Sequence, residues 1–425
     1  MTEPRRYFGT DGVRGIAGAV LTDDLVRRLG HGFAVWTAGA PVLVGRDTRG
    51  SGPALEVALV EGLVAGGAKA TLAGVLPTPA VALLADGCGA VVSASHNPPE
   101  YNGVKLFDRG GRKLTDAEEL EIEALLDEPV PDVGAEPERD PNARERYADL
   151  VADRFGVPLA GLRIVCDSAN GAMSGIASGV LERLGATVTS IGDVPDGTNI
   201  NVGCGATNPS TIAGVVREGD FDLGVALDGD GDRLLAVDAA GNEVDGDGIL
   251  AVLALHLGVD LVAVTTMTNL GFHRLMAERG IRVVTTDVGD RYVLEALRRE
   301  GGKLGGEQSG HVAWLDGHTT GDGLVAALLL TRAVVESGRT LAELASVLER
   351  YSQARRDVPV RSKALTPAIV AEVERLNAEL EGRGRVLVRP SGTEPVVRVL
   401  AEAEAPKAAQ DLCARIADLV AQNLA

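Results

Sequence analysis

The chain has 425 residues, 45% hydrophobic and 24% charged, the balance of a soluble globular protein with room for roughly three domains. Its 41 basic and 60 acidic residues give a formal charge of −19, which argues against nucleic acid and anionic membrane as partners and leaves any anionic substrate to be held by local basic groups. No apolar run reaches bilayer-spanning length, no signal segment is evident at the start, and the cysteines (Cys88, Cys166, Cys204, Cys413) are scattered without metal-ligand spacing; reduced thiols and a cytoplasmic location are expected. With aromatics at 3%, the core has to be built from Ala, Val and Leu.

In chain order, a glycine-rich run from Phe8 to Gly15 offers close backbone approach to an anion, with Arg14 as a guanidinium fork. Thr22 followed by Asp23 and Asp24 predicts a helix N-terminus, and Leu25, Leu29 and Phe33 continue at helical spacing. Residues 41–45 form a short strand, and Arg46-Asp47-Thr48-Arg49 at its end suggests an ion-paired loop near a site. A helix at about 53–66, a strand at 69–73, a further helix and a strand at 90–92 repeat the βα rhythm of a layered α/β domain. That last strand runs into Ser93-Ala94-Ser95-His96-Asn97-Pro98-Pro99, where the prolines disfavour helix and leave the serines on a rigid loop at a strand end. Ser95 has His96 beside it and Lys105 beyond a turn expected at Asn102-Gly103, so it reads either as a capped turn or as a nucleophile or phosphate carrier.

Residues 127–143 form an acidic, Pro-rich connection into a linking helix, and strand 162–166 starts a second α/β unit. The apolar run 223–227 is its last clear strand and leads into Asp228-Gly229-Asp230-Gly231-Asp232-Arg233. Carboxylates at alternate positions share one side of an extended backbone, and oxygen-only ligands favour Mg²⁺, Mn²⁺ or Ca²⁺ over zinc. An EF-hand is excluded, because its glycine and glutamate positions hold Arg233 and Ala239. The bland alternative is a solvated acidic turn. Asp245-Gly246-Asp247-Gly248 reads as a charged helix N-cap, and strands at 261–265 and 283–286 with a helix at 288–299 repeat the βα pattern. Asp322-Gly323 opens a long apolar helix. From about Val358 the character changes: a helix at about 366–381, strands at 385–389 and 396–401, and a helix with Leu412, Ile416, Leu419 and Val420 on one face suggest a small α+β domain.

Five motifs resemble the α-D-phosphohexomutase superfamily: Phe8–Gly15, Ser93–Pro98, Asp228–Arg233, Gly306-Glu307-Gln308-Ser309-Gly310-His311, and Arg389-Pro390-Ser391-Gly392-Thr393-Glu394-Pro395. They lie in the family's order and span almost the whole chain. The resemblance implies three similar mixed-sheet α/β/α domains plus a C-terminal α+β domain, with boundaries at 1–150, 151–247, 248–357 and 358–425. It implies that Ser95 carries phosphate as phosphoserine, with Ser93 as the fallback. One Mg²⁺ would be held by Asp228, Asp230, Asp232 and a phosphoserine oxygen. Arg14 and Lys105 would neutralise the transferring group, and Lys105, if its pKa is lowered, or His311 would serve as general acid–base. His96 would shape the serine loop. Glu307 and Ser309 would bind the sugar. Arg233, Arg389, Ser391, Gly392, Thr393 and Arg398 would grip the non-reacting phosphate.

The Glu-Gln-Ser-Gly-His loop and the opening motif are most similar to members that interconvert glucosamine 6-phosphate and glucosamine 1-phosphate through a 1,6-bisphosphate, supplying UDP-N-acetylglucosamine synthesis. Relatives acting on glucose or mannose phosphates are the alternative. Gly18 stands where relatives often have Asn, and Asp287 where a basic or neutral residue is expected. From other classes, Asp228 could be the nucleophile of an aspartyl phosphatase, or the chain could bind sugar phosphates without catalysis. The implied partner is a small phosphosugar, and the oligomeric state, a homodimer included, is left open.

Overall fold

The computed structural model describes residues 5–134, 136–391 and 395–424. It divides into two compact units, Met1–Met267 with Ile281–Ser346, and Thr268–Gly280 with Val347–Ala425.

The first unit holds three sheets built on one plan. In the first, Val42–Arg46 lies between the parallel strands Ala70–Val75 and Cys88–Val92; Tyr101–Phe107 then pairs antiparallel with Cys88–Val92, and Val13–Ile16 with Tyr101–Phe107. In the second, Arg163–Asp167 lies between parallel Thr187–Ile191 and Leu223–Leu227, and Leu234–Asp238 turns back antiparallel. In the third, Leu261–Thr265 lies between parallel Arg282–Thr286 and Leu304–Gly306, and Val312–Trp314 turns back. The three loops that reverse the chain are the serine loop, the acidic loop and the Glu307–His311 loop. These three candidate loops therefore leave the C-terminal end of a parallel strand, where open α/β sheets place their chemistry.

Burial explains why the strands hold. Cys88–Val92, Leu223–Leu227 and Leu261–Thr265 are buried throughout, as expected of strands covered on both faces by helices. Helix Asp23–Trp36 is capped by the Thr22 side chain and packs Leu25, Val26, Leu29 and Phe33 into the first core. Each such side chain contributes ~1.5–3 kcal/mol when fully buried.

The second unit is a three-stranded antiparallel sheet with Val396–Ala403 between Ser352–Pro359 and Gly384–Pro390. Helices Pro367–Leu380 and Pro406–Leu424 supply Ile369, Leu376, Cys413, Ile416 and Val420 to its core. Helix Leu270–Glu278 belongs to the same unit, its N-cap Asn269 bonded to the Tyr351 carbonyl at 3.0 Å.

Several elements differ from the sequence reading. Asn102 and Gly103 lie inside strand Tyr101–Phe107, not in a turn. Gly103 is needed there because a Cβ would sit 2.5 Å from the Ser93 carbonyl oxygen, so the glycine marks close approach rather than a bend. The second sheet does not end at the acidic loop, since Leu234–Asp238 and Glu243–Val244 follow. Strand Val13–Ile16 overlaps the end of the glycine-rich run, and strand Ser352–Pro359 has no counterpart in the sequence reading. All four cysteines are free and buried. No helix among the described residues is long and apolar enough to cross a membrane.

Candidate active site

Ser95 is buried, and its Oγ donates to Asp228 Oδ2 at 2.5 Å. The serine loop is held from below. Ser93 Oγ accepts from Ser95 N at 2.9 Å and donates to Asp47 Oδ2 at 2.6 Å, and Asp47 pairs with the fully buried Arg49 at 2.9 Å. Ser93 is thus committed to the loop's framework. His96 Nδ1 stands 3.5 Å from Ser95 Oγ, and burial, reinforced by Arg233 and Arg14, pushes its pKa down to about 3. The imidazole is held neutral there.

Asp228, Asp230 and Asp232 are buried, and one oxygen of each lies within 4.8 Å of the others. Asp230 Oδ2 is occupied by Thr78 Oγ1 at 2.5 Å and Lys105 Nζ at 2.7 Å, whereas its Oδ1 is buried with no partner. Burial, with Asp232 and Asp230 beside it, pushes the Asp228 carboxyl up to about 7. A buried excess of negative charge with an unpartnered oxygen fits a hard divalent cation, so the residues present suit the metal their chemistry implied.

Lys105 Nζ bridges Asp11, Asp230 and Asp232 at 2.9, 2.7 and 2.9 Å. Burial would lower its pKa, but the surrounding carboxylates outweigh burial and hold the ammonium well above its usual value. With these carboxylates around it the Lys105 ammonium is held in its charged form. Arg14 pairs with Asp11, and its Nε is buried without a partner. His311 lies between Asp232 (Nε2 to Oδ1, 3.0 Å) and Glu307 (Nδ1 to Oε2, 2.9 Å). Burial opposes its charge, yet the carboxylates, Asp232 foremost, raise its pKa to about 10.

The chain matches "Phosphoglucomutase/phosphomannomutase, alpha/beta/alpha domain I" over residues 5–130, domain II over 145–241, domain III over 245–351, and the C-terminal domain over 330–419. The chain belongs to the phosphoglucomutase/phosphomannomutase family. It is 48% identical to the phosphoglucosamine mutase of Thermobifida fusca, over 99% of both chains, and 42% identical to that of Clostridioides difficile, over 99% of this chain and 100% of the relative. A crystal structure of a phosphoglucomutase/phosphomannomutase family protein from Burkholderia thailandensis superimposes with a TM-score of 0.84 at 25% identity, covering 98% of each chain. Phosphohexomutases of this family are intramolecular phosphotransferases, an isomerase class, and the four-part α/β architecture expected from the motifs is the family's own.

Within this phosphohexomutase site the first unit brings together Arg14, Ser95, Lys105, the acidic triad, Arg233, Glu307 and His311. Arg233 packs beside Asp228 at 4.0 Å and forms a backbone bridge with His311, joining the acidic loop to the Glu307 loop. Glu307 Oε1 accepts from Gly289 N at 3.0 Å, and Ser309 is exposed on the same loop. Asp287 is also exposed. Arg389 and Arg398 face each other across strands of the second unit, and Ser391 N donates to the Val396 carbonyl at 2.9 Å. Gly392 and Thr393 lie outside the described residues.

Sequence reading missed Thr78, whose hydroxyl occupies Asp230, and Lys113, which joins Asp11 (2.7 Å) to Asp290. It also missed Asn201, whose Nδ2 donates to the Ser95 carbonyl at 2.9 Å. Asn201 lies just beyond the turn-forming run Pro195-Asp196-Gly197-Thr198-Asn199, and none of the three residues stands out in the sequence alone. Arg49 was legible as part of an ion-paired loop, but its grip on the serine loop was not.

Proposed function

We propose that the chain interconverts glucosamine 6-phosphate and glucosamine 1-phosphate, carrying the phosphoryl group on Ser95 and passing through the 1,6-bisphosphate. The single observation that carries this reading is the buried Ser95 hydroxyl hydrogen-bonded to the first member of an acidic triad. The near-full-length relatives named phosphoglucosamine mutase support the substrate. Asp228, Asp230 and Asp232 would hold Mg²⁺, which when bound supplies Lewis-acid polarisation and charge neutralisation. In the first half-reaction the Ser95 Oγ–P bond breaks as a P–O bond forms to the free sugar hydroxyl, which gives up its proton; in the second the other sugar O–P bond of the bisphosphate breaks as the Ser95 Oγ–P bond re-forms, and the released sugar oxygen takes up a proton.

Lys105 and Arg14 offset the charge of the transferring group. Protonated His311, oriented by Glu307 and Asp232, is the group with a proton to give on the sugar-loop side. Glu307 and Ser309 offer an acceptor carboxylate and a hydroxyl to the sugar, and a carboxylate suits a 2-ammonium group. Arg389, Ser391, Gly392, Thr393 and Arg398 of the C-terminal domain would bind the non-reacting phosphate, and Arg233 of the acidic loop is a further substrate-binding candidate. An aspartyl phosphatase would need Asp228 open to attack, but it is fully buried and engaged by Ser95.

The test is intact mass and phosphopeptide mapping, followed by turnover of glucosamine 6-phosphate with Mg²⁺ after priming with a hexose 1,6-bisphosphate. Phosphate on Ser95 with glucosamine 1-phosphate appearing is expected, and Ser95→Ala should lower turnover by about 10⁴-fold or more. Wild-type protein that stays unmodified and inactive after priming sinks the reading.

A further inference from the structure

Ser95 is a non-glycine residue with φ +53°, in the left-handed region that side chains disfavour. Such a backbone persists only where its surroundings impose it. Two donors converge on the Ser95 carbonyl. Arg49 Nη2 reaches it at 2.8 Å and also reaches the Asn97 carbonyl at 2.8 Å. The same guanidinium donates to the Tyr101 carbonyl at 2.9 Å and to the Pro98 carbonyl. That grip comes from within the first sheet's domain. The other donor comes from the second: Asn201 Nδ2 lies 2.9 Å from the Ser95 carbonyl oxygen and 3.2 Å from that of Asn97.

Asn201 is itself left-handed, φ +60°, and its backbone N donates to the Ala169 carbonyl at 2.9 Å. The two also meet at the acidic loop. A Cβ on Gly229 would lie 2.6 Å from the Ser95 carbonyl oxygen and 2.8 Å from Asn201 Nδ2, so the acidic loop passes directly against this contact. Thr48 Oγ1 donates to the Asn170 carbonyl at 2.6 Å and Gly50 N to the Gly197 carbonyl at 2.8 Å, seating the same loops on each other nearby.

We infer that Asn201 is a positioning residue for phosphoryl transfer: from the second domain it holds the Ser95 backbone in its left-handed state and so keeps Oγ against Asp228. The inference rests on the mutase reading above. Arg49 alone already satisfies the Ser95 carbonyl, so the second donor adds alignment between two domains rather than relief of an unpaired group. The Asn201 side chain donates to backbone carbonyls of the serine loop, Ser95 and Asn97, rather than to Ser95 Oγ. Its loss should therefore act on the chemical step and leave sugar binding alone.

The test compares wild type, Asn201→Asp and Asn201→Gly, all full-length and primed with glucose 1,6-bisphosphate. The aspartate keeps the shape and turns a donor into an acceptor. The glycine removes the donor at a φ that glycine adopts freely. Both variants should show kcat lowered about tenfold to hundredfold, KM for glucosamine 6-phosphate within about threefold of wild type, and thermal midpoints showing that the protein is folded. Wild-type kcat in both variants overturns the inference. So does a loss of activity that vanishes once rates are corrected for the folded fraction. Absence of turnover in primed wild type overturns the mutase reading, and this inference with it, whereas active wild type with unaltered variants overturns this inference alone.

Discussion

Ser95 Oγ lies 2.5 Å from Asp228 Oδ2, and the two residues come from different sheets. The contact puts the proposed phosphoryl carrier beside the carboxylates that could hold a cation, so in that reading carrier and metal share one site. Asp230, with one oxygen buried and unpartnered, is the ligand most exposed to the loss of a cation. Chelation with EDTA should abolish turnover, and added Mg²⁺ should restore it. Asp230→Asn should weaken Mn²⁺ binding, read by electron paramagnetic resonance, by about tenfold or more. Unchanged Mn²⁺ affinity would remove Asp230 from the ligand set.

Lys105 is the only lysine in contact with Asp230 and Asp232 among the described residues, and it shares Asp11 with Lys113. Lys105→Met should leave buried carboxylates uncompensated and cost about 3–5 kcal/mol of stability in metal-free buffer. Mg²⁺ should recover part of that loss by supplying the missing charge. Urea unfolding with and without Mg²⁺ measures both, and equal losses in the two buffers would contradict the assignment.

Arg291 at the start of helix Asp290–Glu300 forks onto Glu119 of helix Asp116–Ala124, at 2.6 and 2.9 Å, with both side chains 4% exposed. It joins the third sheet's domain to the first behind the Lys113–Asp290 pair. Arg291→Ala should cost about 3–5 kcal/mol, because Glu119 is left buried with less compensation. Arg291→Lys should recover only part, since a lysine cannot reproduce the two-pronged geometry. Denaturation midpoints of the two variants decide it.

His273 lies on helix Leu270–Glu278 in the second unit, its Nε2 buried without a partner. Burial, reinforced by Arg385, pushes its pKa down to about 4. The unfolded chain, with a histidine pKa of about 6.5, takes up the proton first as pH falls. The second unit should therefore lose stability as pH drops from about 6.5 towards 4, with nothing to gain above that window. Hydrogen exchange along Leu270–Glu278 should quicken over this range in wild type and change less in His273→Gln. Equal pH dependence in the two proteins would show that other groups set it.

Much of the site was legible because its chemistry is concentrated in short loops. Ser95, the alternating Asp228, Asp230 and Asp232, and Glu307 with His311 each follow a buried apolar strand, and strand periodicity places such loops at a sheet's edge. Strand Leu261–Thr265 matches the sequence reading residue for residue, because Asp260 marks its start and the run that follows is apolar and β-branched. Ser352–Pro359 escaped because it is an edge strand whose mostly polar side chains and final proline carry little hydrophobic period. Asn102-Gly103 misled because turn residues can also mark a close backbone approach.

The sequence by itself determined the repeated βα rhythm, the serine loop at a strand end and the alternating carboxylates that could hold a cation, since these depend on residue type and local spacing. Only the tertiary structure decided that Lys105 lies among three carboxylates, that Ser93 is tied to Asp47, and that Arg49 and Asn201 both donate to the Ser95 carbonyl. Those outcomes depend on which carboxylates and carbonyls from distant segments share a buried, low-dielectric space. Proton affinities and backbone strain are set by that company, not by neighbours along the chain.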